Sequence, residues 1–189
     1  MSNSKFHYIS WQDLQEACFK LSIKINKNNI KPNRIVAVSR GGLVVARILS
    51  DFLCLPISVF SIVAYTGIGK MKKPKVVEGL KAFIRNENIL LVDEVADSGE
   101  TYLVAIDYLQ KLKPAKIFSC APFIKSWTKY IPDYWQKKTD KWIIFPYETK
   151  ESIDELGKTM DKNKIKSLGL PAQFVDYFFK KAKIAAPRG

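Results

Sequence analysis

Apolar residues recur along the first part of the chain at two periods, and the switches between them mark out its elements. Trp11, Leu14, Cys18, Leu21 and Ile25 fall at helical spacing. Ser10 with Asp13 makes a capping box in which Asp stands for the usual Glu or Gln, so a helix is expected over about residues 11–26. Arg34-Ile35-Val36-Ala37-Val38 follows a turn containing Pro32 and reads as a strand; it ends in Ser39-Arg40-Gly41-Gly42, and a second helix then runs to about Leu53. Pro56 to Val63 reads as another strand. Residues 65–80 carry glycine, lysine and proline with little periodicity and form a long loop, with an antiparallel hairpin as the alternative for part of it. Ile89 to Val92 is almost purely aliphatic, as a parallel strand buried on both faces requires. A helix to about Leu112 and strands over Lys116 to Ala121 and Trp142 to Phe145 follow. This alternation implies an α/β protein with a central, mainly parallel sheet flanked by helices.

Beyond Glu148 the pattern becomes helical. Ser152 and Glu155 form another possible capping box, and Pro171 opens a final amphipathic helix through Phe174, Val175, Phe178 and Phe179. The chain therefore reads as one domain over 1–148 and a helical C-terminal extension over 149–189.

Composition narrows the class. A chain of 189 residues with 47% hydrophobic content can bury one proper core, and 26% charged residues is a globular rather than a disordered fraction. No apolar run approaches the roughly 20 residues that cross a bilayer. The N-terminus MSNSKFHYIS lacks the apolar stretch and cleavage site of a signal peptide. A cytoplasmic protein without a membrane partner is expected. Cys18, Cys54 and Cys120 are odd in number, far apart and set in apolar stretches, so all three are expected as small buried core residues rather than disulfides, zinc ligands or a catalytic thiol. His7 is expected at the surface or rim. The net charge of +13 fits nucleic-acid binding, attraction of phosphorylated small substrates, or a lysine-rich solvated surface. It is spread along the chain and does not choose among these.

The chemistry concentrates in residues 89–101. Asp93 and Glu94 stand together at the carboxyl end of a buried strand, where acids without partners are costly to bury, so they are expected to face a cleft. Ala96-Asp97-Ser98-Gly99-Glu100-Thr101 then places small residues, a glycine and two hydroxyls just before a helix. Such a turn aims backbone N–H groups and the positive end of a helix dipole at a phosphate.

The segment ILLVDEVADSGET closely resembles the phosphoribosyl pyrophosphate motif of type I phosphoribosyltransferases, departing in Ser98, where threonine is usual, and Glu100, where glycine or a basic residue is common. The resemblance implies the type I fold, with Asp93 and Glu94 holding the ribose hydroxyls and supporting a magnesium-bound donor, and Ala96 to Thr101 cradling the 5′-phosphate. Ser39-Arg40-Gly41-Gly42-Leu43 resembles the pyrophosphate loop of the same family, Arg40 supplying charge and the glycines Gly41 and Gly42 a close approach of backbone N–H groups. Lys125-Ser126-Trp127, Pro132-Asp133-Tyr134-Trp135 and Trp142 to Glu148 resemble the 6-oxopurine enzymes, the xanthine-guanine and archaeal hypoxanthine-guanine type. That likeness implies Lys125 donating to the purine O6, Trp142 stacking on the base and the Ile143 backbone meeting its edge. An ammonium donor does prefer an oxo group to an exocyclic amine, and an indole offers a broad stacking face.

The implied reaction joins a purine ring nitrogen to C1 of the ribose with departure of pyrophosphate. Asp97 lies where the family places the acid facing N7 and is the candidate catalytic proton acceptor. Loop 65–80 would close over the donor; Tyr65 and one of Lys72, Lys73 or Lys75 are the candidates to touch pyrophosphate. The implied partners are phosphoribosyl pyrophosphate and a purine base, with magnesium as cofactor and a homodimer or homotetramer as assembly. Two alternatives remain: an adenine phosphoribosyltransferase on the same framework, and a nucleic-acid-binding regulator that keeps the fold. The paired acids and the base region favour the enzyme.

Overall fold

The computed structural model describes residues 5–29, 31–63, 66–67, 70–71 and 73–185. In chain order they form β1 (Phe6–Tyr8), α1 (Trp11–Asn26), β2 (Arg34–Ser39), α2 (Gly42–Leu53), β3 (Ile57–Val63), β4 (Thr66–Gly67), β5 (Lys70–Met71), β6 (Lys75–Glu78), β7 (Asn88–Val92), β8 (Val95–Ala96), α3 (Glu100–Gln110), β9 (Lys116–Ile124), β10 (Tyr134–Lys138), β11 (Trp142–Ile144), α4 (Thr149–Leu156), α5 (Lys162–Ser167) and α6 (Ala172–Ala185). They fall into two compact units, one from Leu14 to Asp140 and one made of the segments before and after it.

The larger unit is the expected α/β sheet. Its strand order is β10-β9-β7-β2-β3-β6, with β8 also paired to β9; β6 runs antiparallel to β3 and every other pairing is parallel. From β2 the chain builds outward to β3 and β6, then returns to the other side of β2 with β7. The order reverses between β2 and β7, and ligand crevices in open α/β sheets lie at such reversals, beyond the carboxyl ends of the strands. The aliphatic run of β7 is buried along Ile89 to Val92, and its Ile89 and Leu91 join Val36, Phe60, Tyr102, Ala105 and Leu109 in one core. Helix α1 buries Leu14, Ala17, Cys18, Leu21 and Ile25 at steps of three and four, and its start carries the expected capping box. Asp13 accepts from the Ser10 backbone N–H at 3.0 Å while Ser10 Oγ accepts from the Asp13 N–H at 3.1 Å.

Several expectations are corrected. Cys54 is exposed, because it terminates α2 in a left-handed conformation (φ 53°) rather than continuing its apolar face; Cys18 and Cys120 are buried as expected. All three are free, and burial pushes the Cys18 thiol up to about 12, far from a reactive thiolate. The possible capping box at Ser152 and Glu155 does not form, since α4 already begins at Thr149 and both residues lie within it. Within 65–80 the hairpin alternative is the one seen: β4 pairs with β5 and β6 joins the sheet edge.

In the smaller unit β1 and β11 pair in parallel, with the Trp142 N–H donating to the Lys5 carbonyl at 2.8 Å. Ile144, Ile153, Leu156, Ile165, Leu170 and Val175 form its core together with α4 to α6. Among the described residues no helix is long and apolar enough to cross a membrane.

Candidate active site

Parallel strands deliver their carboxyl ends to one edge, and the predicted residues of the larger unit collect there. β2 ends at Ser39 and leads into Arg40-Gly41; its hydrogen-bonded neighbour β7 ends at Val92 and leads into Asp93-Glu94. The Ser39–Arg40 peptide is cis. The glycines matter because the two turns touch. A Cβ on Gly41 would lie 2.0 Å from the carboxyl carbon and both oxygens of Glu94, and one on Gly42 would lie 2.6 Å from the Val92 carbonyl oxygen. The Glu94 carboxylate thus rests directly against the backbone of the Arg-Gly-Gly turn.

Asp93 is only 8% exposed, and its Oδ1 accepts from the Glu94 N–H at 3.0 Å. Glu94 Oε2 is buried with no hydrogen-bond partner. A buried carboxylate oxygen left unsatisfied is costly, which makes it available to a ligand donor or a cation. Two adjacent carboxylates are also the hard oxygen donors that magnesium takes when it shares its shell with phosphate oxygens and water. Among the described residues no group of three or more His, Cys, Asp or Glu could hold a metal ion by itself. The residues present fit a magnesium ion brought in with a phosphorylated substrate.

The turn from Ala96 to Thr101 is held from behind. β8 pairs with the end of β9, placing Ala96 beside Ile124, and the Lys125 N–H donates to the Ala96 carbonyl at 3.1 Å. Gly99 has φ 82°, and a Cβ there would come within 2.6 Å of the Tyr130 nitrogen and 2.9 Å of Thr128 Oγ1, so conformation and space both require glycine. The Lys129 N–H donates to the Ser98 carbonyl at 2.9 Å, and Ser98 Oγ accepts from the Glu100 N–H at 3.3 Å. Helix α3 begins at Glu100, so its positive end faces this turn, and Thr101 is in its first turn. Glu100 pairs with Lys129 at 3.2 Å on the surface, an interaction of small energetic weight.

Residues 126–134 form a strap over this region. Tyr130 stacks on Tyr102 of α3 with ring centroids 5.2 Å apart and donates to Ser119 Oγ at 2.8 Å. Asp133 Oδ2 accepts from both the Ser119 N–H and its hydroxyl, at 2.8 and 2.7 Å. Lys125, between β9 and the strap, is 5% exposed. Burial pushes its ammonium below the ordinary lysine range, and the negative charges of Asp97 and Asp140 oppose that push. Its Nζ lies 5.6 Å from the centre of the Trp127 ring. The Trp127 indole N–H donates to Asp97 Oδ1 at 2.8 Å. A carboxylate, a buried ammonium and the turn before α3 therefore stand next to one another.

Residues 10–153 match the model of the phosphoribosyl transferase domain. The chain belongs to the phosphoribosyltransferase family. It is accordingly a glycosyl-transferring enzyme of the pentosyltransferase class. It is 31% identical over 149 residues to a xanthine-guanine phosphoribosyltransferase of Gluconobacter oxydans, covering 76% of this chain and 86% of that one. Among solved structures it resembles a purine phosphoribosyltransferase from Pyrococcus horikoshii, with a TM-score of 0.69 and 32% identity over 76% of this chain and 94% of that one. It also resembles the xanthine-guanine-hypoxanthine enzyme of Helicobacter pylori, with a TM-score of 0.65 and 25% identity over 78% and 96% of the two chains. This phosphoribosyltransferase has the type I fold, a mainly parallel sheet with flanking helices.

Arg40, Gly41, Asp93, Glu94, Ala96 to Thr101 and Lys125 thus gather at one sheet edge, with Arg40 and Asp97 exposed and Asp93 and Lys125 buried. Trp142 and Ile143 belong to the smaller unit; Trp142 is 62% exposed, whereas Ile143 is buried and paired with His7. Tyr65 and Lys72 lie outside the described residues. Lys73 and Lys75 are exposed, and Lys75 pairs with Val63 at the start of β6. The motifs of the sequence assign no role to Thr128, Tyr130 or Trp127, which reach the site by packing that no local spacing reveals.

Proposed function

We propose that this phosphoribosyltransferase acts in purine salvage, transferring 5-phosphoribosyl from phosphoribosyl pyrophosphate to a 6-oxopurine. Guanine, hypoxanthine or xanthine would be the acceptor, and a nucleoside monophosphate and pyrophosphate the products. The observation that carries the choice of base is Lys125: a buried ammonium at the end of β9, bonded through its backbone to the phosphate turn and coupled electrostatically to Asp97. An O6 oxygen can accept from that ammonium, whereas the exocyclic amine of adenine faces it donor to donor. The names of the similar proteins point the same way.

In this reading Asp93 and Glu94 accept from the ribose hydroxyls, and the turn from Ala96 to Thr101 with the start of α3 binds the 5′-phosphate. Magnesium, held by Asp93 and Glu94, supplies charge neutralisation for the diphosphate when bound. Arg40 and the backbone at Gly41 bind the pyrophosphate, whose developing charge they stabilise as it leaves. The bond from a purine ring nitrogen to C1 forms as the C1–oxygen bond to pyrophosphate breaks, and the proton of the ring N7 passes to the Asp97 carboxylate. Trp142 and the Ile143 backbone are assigned to the base by family resemblance. Residues 1–148 carry this chemistry and 149–189 are an appended extension. The assembly is a homodimer or homotetramer in the cytoplasm.

The test is Lys125→Ala. The loss of a hydrogen bond to a charged group costs about 1.5–3 kcal/mol, or roughly 10- to 150-fold. The parent should prefer guanine or hypoxanthine over adenine by that order in kcat/KM, and Lys125→Ala should shrink the gap. Because burial lowers the Lys125 pKa, its charged form is lost at lower pH than that of a solvated lysine. The parent's preference should therefore fade as pH rises through that lowered value, with no such fade in Lys125→Ala. A gap unchanged by the substitution would remove Lys125 from base selection.

A further inference from the structure

We propose that Trp127 is a positioning residue for the proton acceptor: its indole N–H fixes the Asp97 carboxylate so that one oxygen is held and the other faces the purine. The inference rests on the proposed role of Asp97. Asp97 is exposed in the turn before α3, where an aspartate has several staggered side-chain orientations open to it. A proton acceptor helps only when it is held within hydrogen-bond reach of the proton it takes. The partner it has is the Trp127 Nε1–H, donating to Oδ1 at 2.8 Å from thirty residues away.

Trp127 is itself 53% exposed, an arrangement that burial alone does not explain for the largest side chain. Its backbone is fixed on both sides. The Ser126 N–H donates to Asp140 Oδ1 at 2.9 Å, the Thr128 N–H to the Lys125 carbonyl at 3.4 Å, and the Lys129 N–H to the Ser98 carbonyl at 2.9 Å. The face of the ring carries the Lys125 ammonium, 5.6 Å from the ring centre. Trp127 therefore touches both the acid assigned to N7 and the ammonium assigned to O6. Its N–H serves the first and its π face the second, and the two can be removed separately.

Trp127→Phe keeps an aromatic face and removes the donor. Trp127→Gln removes the face and keeps an N–H the same number of bonds from Cβ, since the indole Nε1 and the glutamine Nε2 each follow Cγ and one further atom. With the full chain, guanine and the phosphoribosyl donor in magnesium buffer, Trp127→Phe should lower kcat about tenfold or more and leave the donor KM near the parent value. Trp127→Gln should recover a large part of that loss. Asp97→Asn should lower kcat more strongly than either, and adding Trp127→Phe to it should cost little further, because two groups acting through one step are not additive. A Trp127→Phe enzyme with the parent kcat, or a loss that adds in full to that of Asp97→Asn, would overturn the positioning role while leaving Asp97 as proton acceptor. An Asp97→Asn enzyme with the parent kcat would instead overturn the acceptor assignment, and the role of Trp127 with it.

Discussion

Replacing Asp93 with asparagine and Glu94 with glutamine together should leave thermal unfolding nearly unchanged and weaken donor binding by about 100-fold or more. Both halves of that expectation come from the same burial. Asp93 is almost fully enclosed and Glu94 Oε2 has no partner, so the protein bears a desolvation cost here that its own hydrogen bonds offset only in part. Neutral side chains of the same shape relieve that cost, and an asparagine in place of Asp93 keeps an oxygen for the Glu94 N–H. The donor loses two charge-assisted acceptors for its hydroxyls, each worth about 1.5–3 kcal/mol. Titration calorimetry of phosphoribosyl pyrophosphate in magnesium buffer, beside a thermal melt, reads both quantities. Parent-like affinity would show that the acids do not hold the donor, and a collapsed melting temperature would show that they hold the fold.

The second large effect separates two neighbouring glycines. Gly41→Ala meets only the far end of the Glu94 side chain, at 2.0 Å, and Gly41 has ordinary helical dihedrals, so the fold should accept it. The carboxylate must move, however, and with it the surface offered to the ribose and pyrophosphate. Donor affinity should fall about tenfold or more, the weight of one charged hydrogen bond, with a melting temperature near the parent's. Gly42→Ala instead meets backbone, the Val92 carbonyl oxygen at 2.6 Å and the Asp93 Cα at 3.1 Å. Overpacking of this kind costs on the order of 1–3 kcal/mol. For a chain of this size that lowers the melting temperature by about 2–4 °C per kcal/mol. If Gly41→Ala bound donor like the parent, the contact between the two turns would have no part in binding.

The sequence was most informative where local chemistry and tertiary environment agree. Helix α1 was legible to its boundaries because its apolar stripe and its Ser10–Asp13 box both belong to the helix itself. Strand β7 was legible because a strand covered on both faces has no polar positions to blur it. By contrast β10, Tyr-Trp-Gln-Lys-Lys, has no apolar run, since it is the edge strand of the sheet and only Tyr134 is buried. The three residues of β1 and the two of β8 are strands only through their partners β11 and β9. Cys54 looked like core because its neighbours are apolar, but the left-handed cap of α2 turns it outward.

The site divides the same way. The acids, the turn from Ala96 to Thr101 and the Arg-Gly-Gly turn are contiguous motifs at strand ends, and a contiguous motif can be read in one dimension. The hydrogen bond from Trp127 to Asp97 and the packing of Tyr130 against Gly99 join residues about thirty apart. Lys125 was identified in the sequence by its surroundings rather than by its own chemistry. Its burial is what distinguishes it from the many lysines on the surface.

Pyrophosphate release by the purified chain, measured with guanine, hypoxanthine, xanthine and adenine at a fixed donor concentration in magnesium buffer, bears most directly on the central claim. At least one 6-oxopurine should be turned over at least about tenfold more efficiently than adenine, the discrimination set by a charged hydrogen bond to O6. Faster turnover of adenine than of any oxopurine would contradict the assignment and make this an adenine enzyme on the same framework.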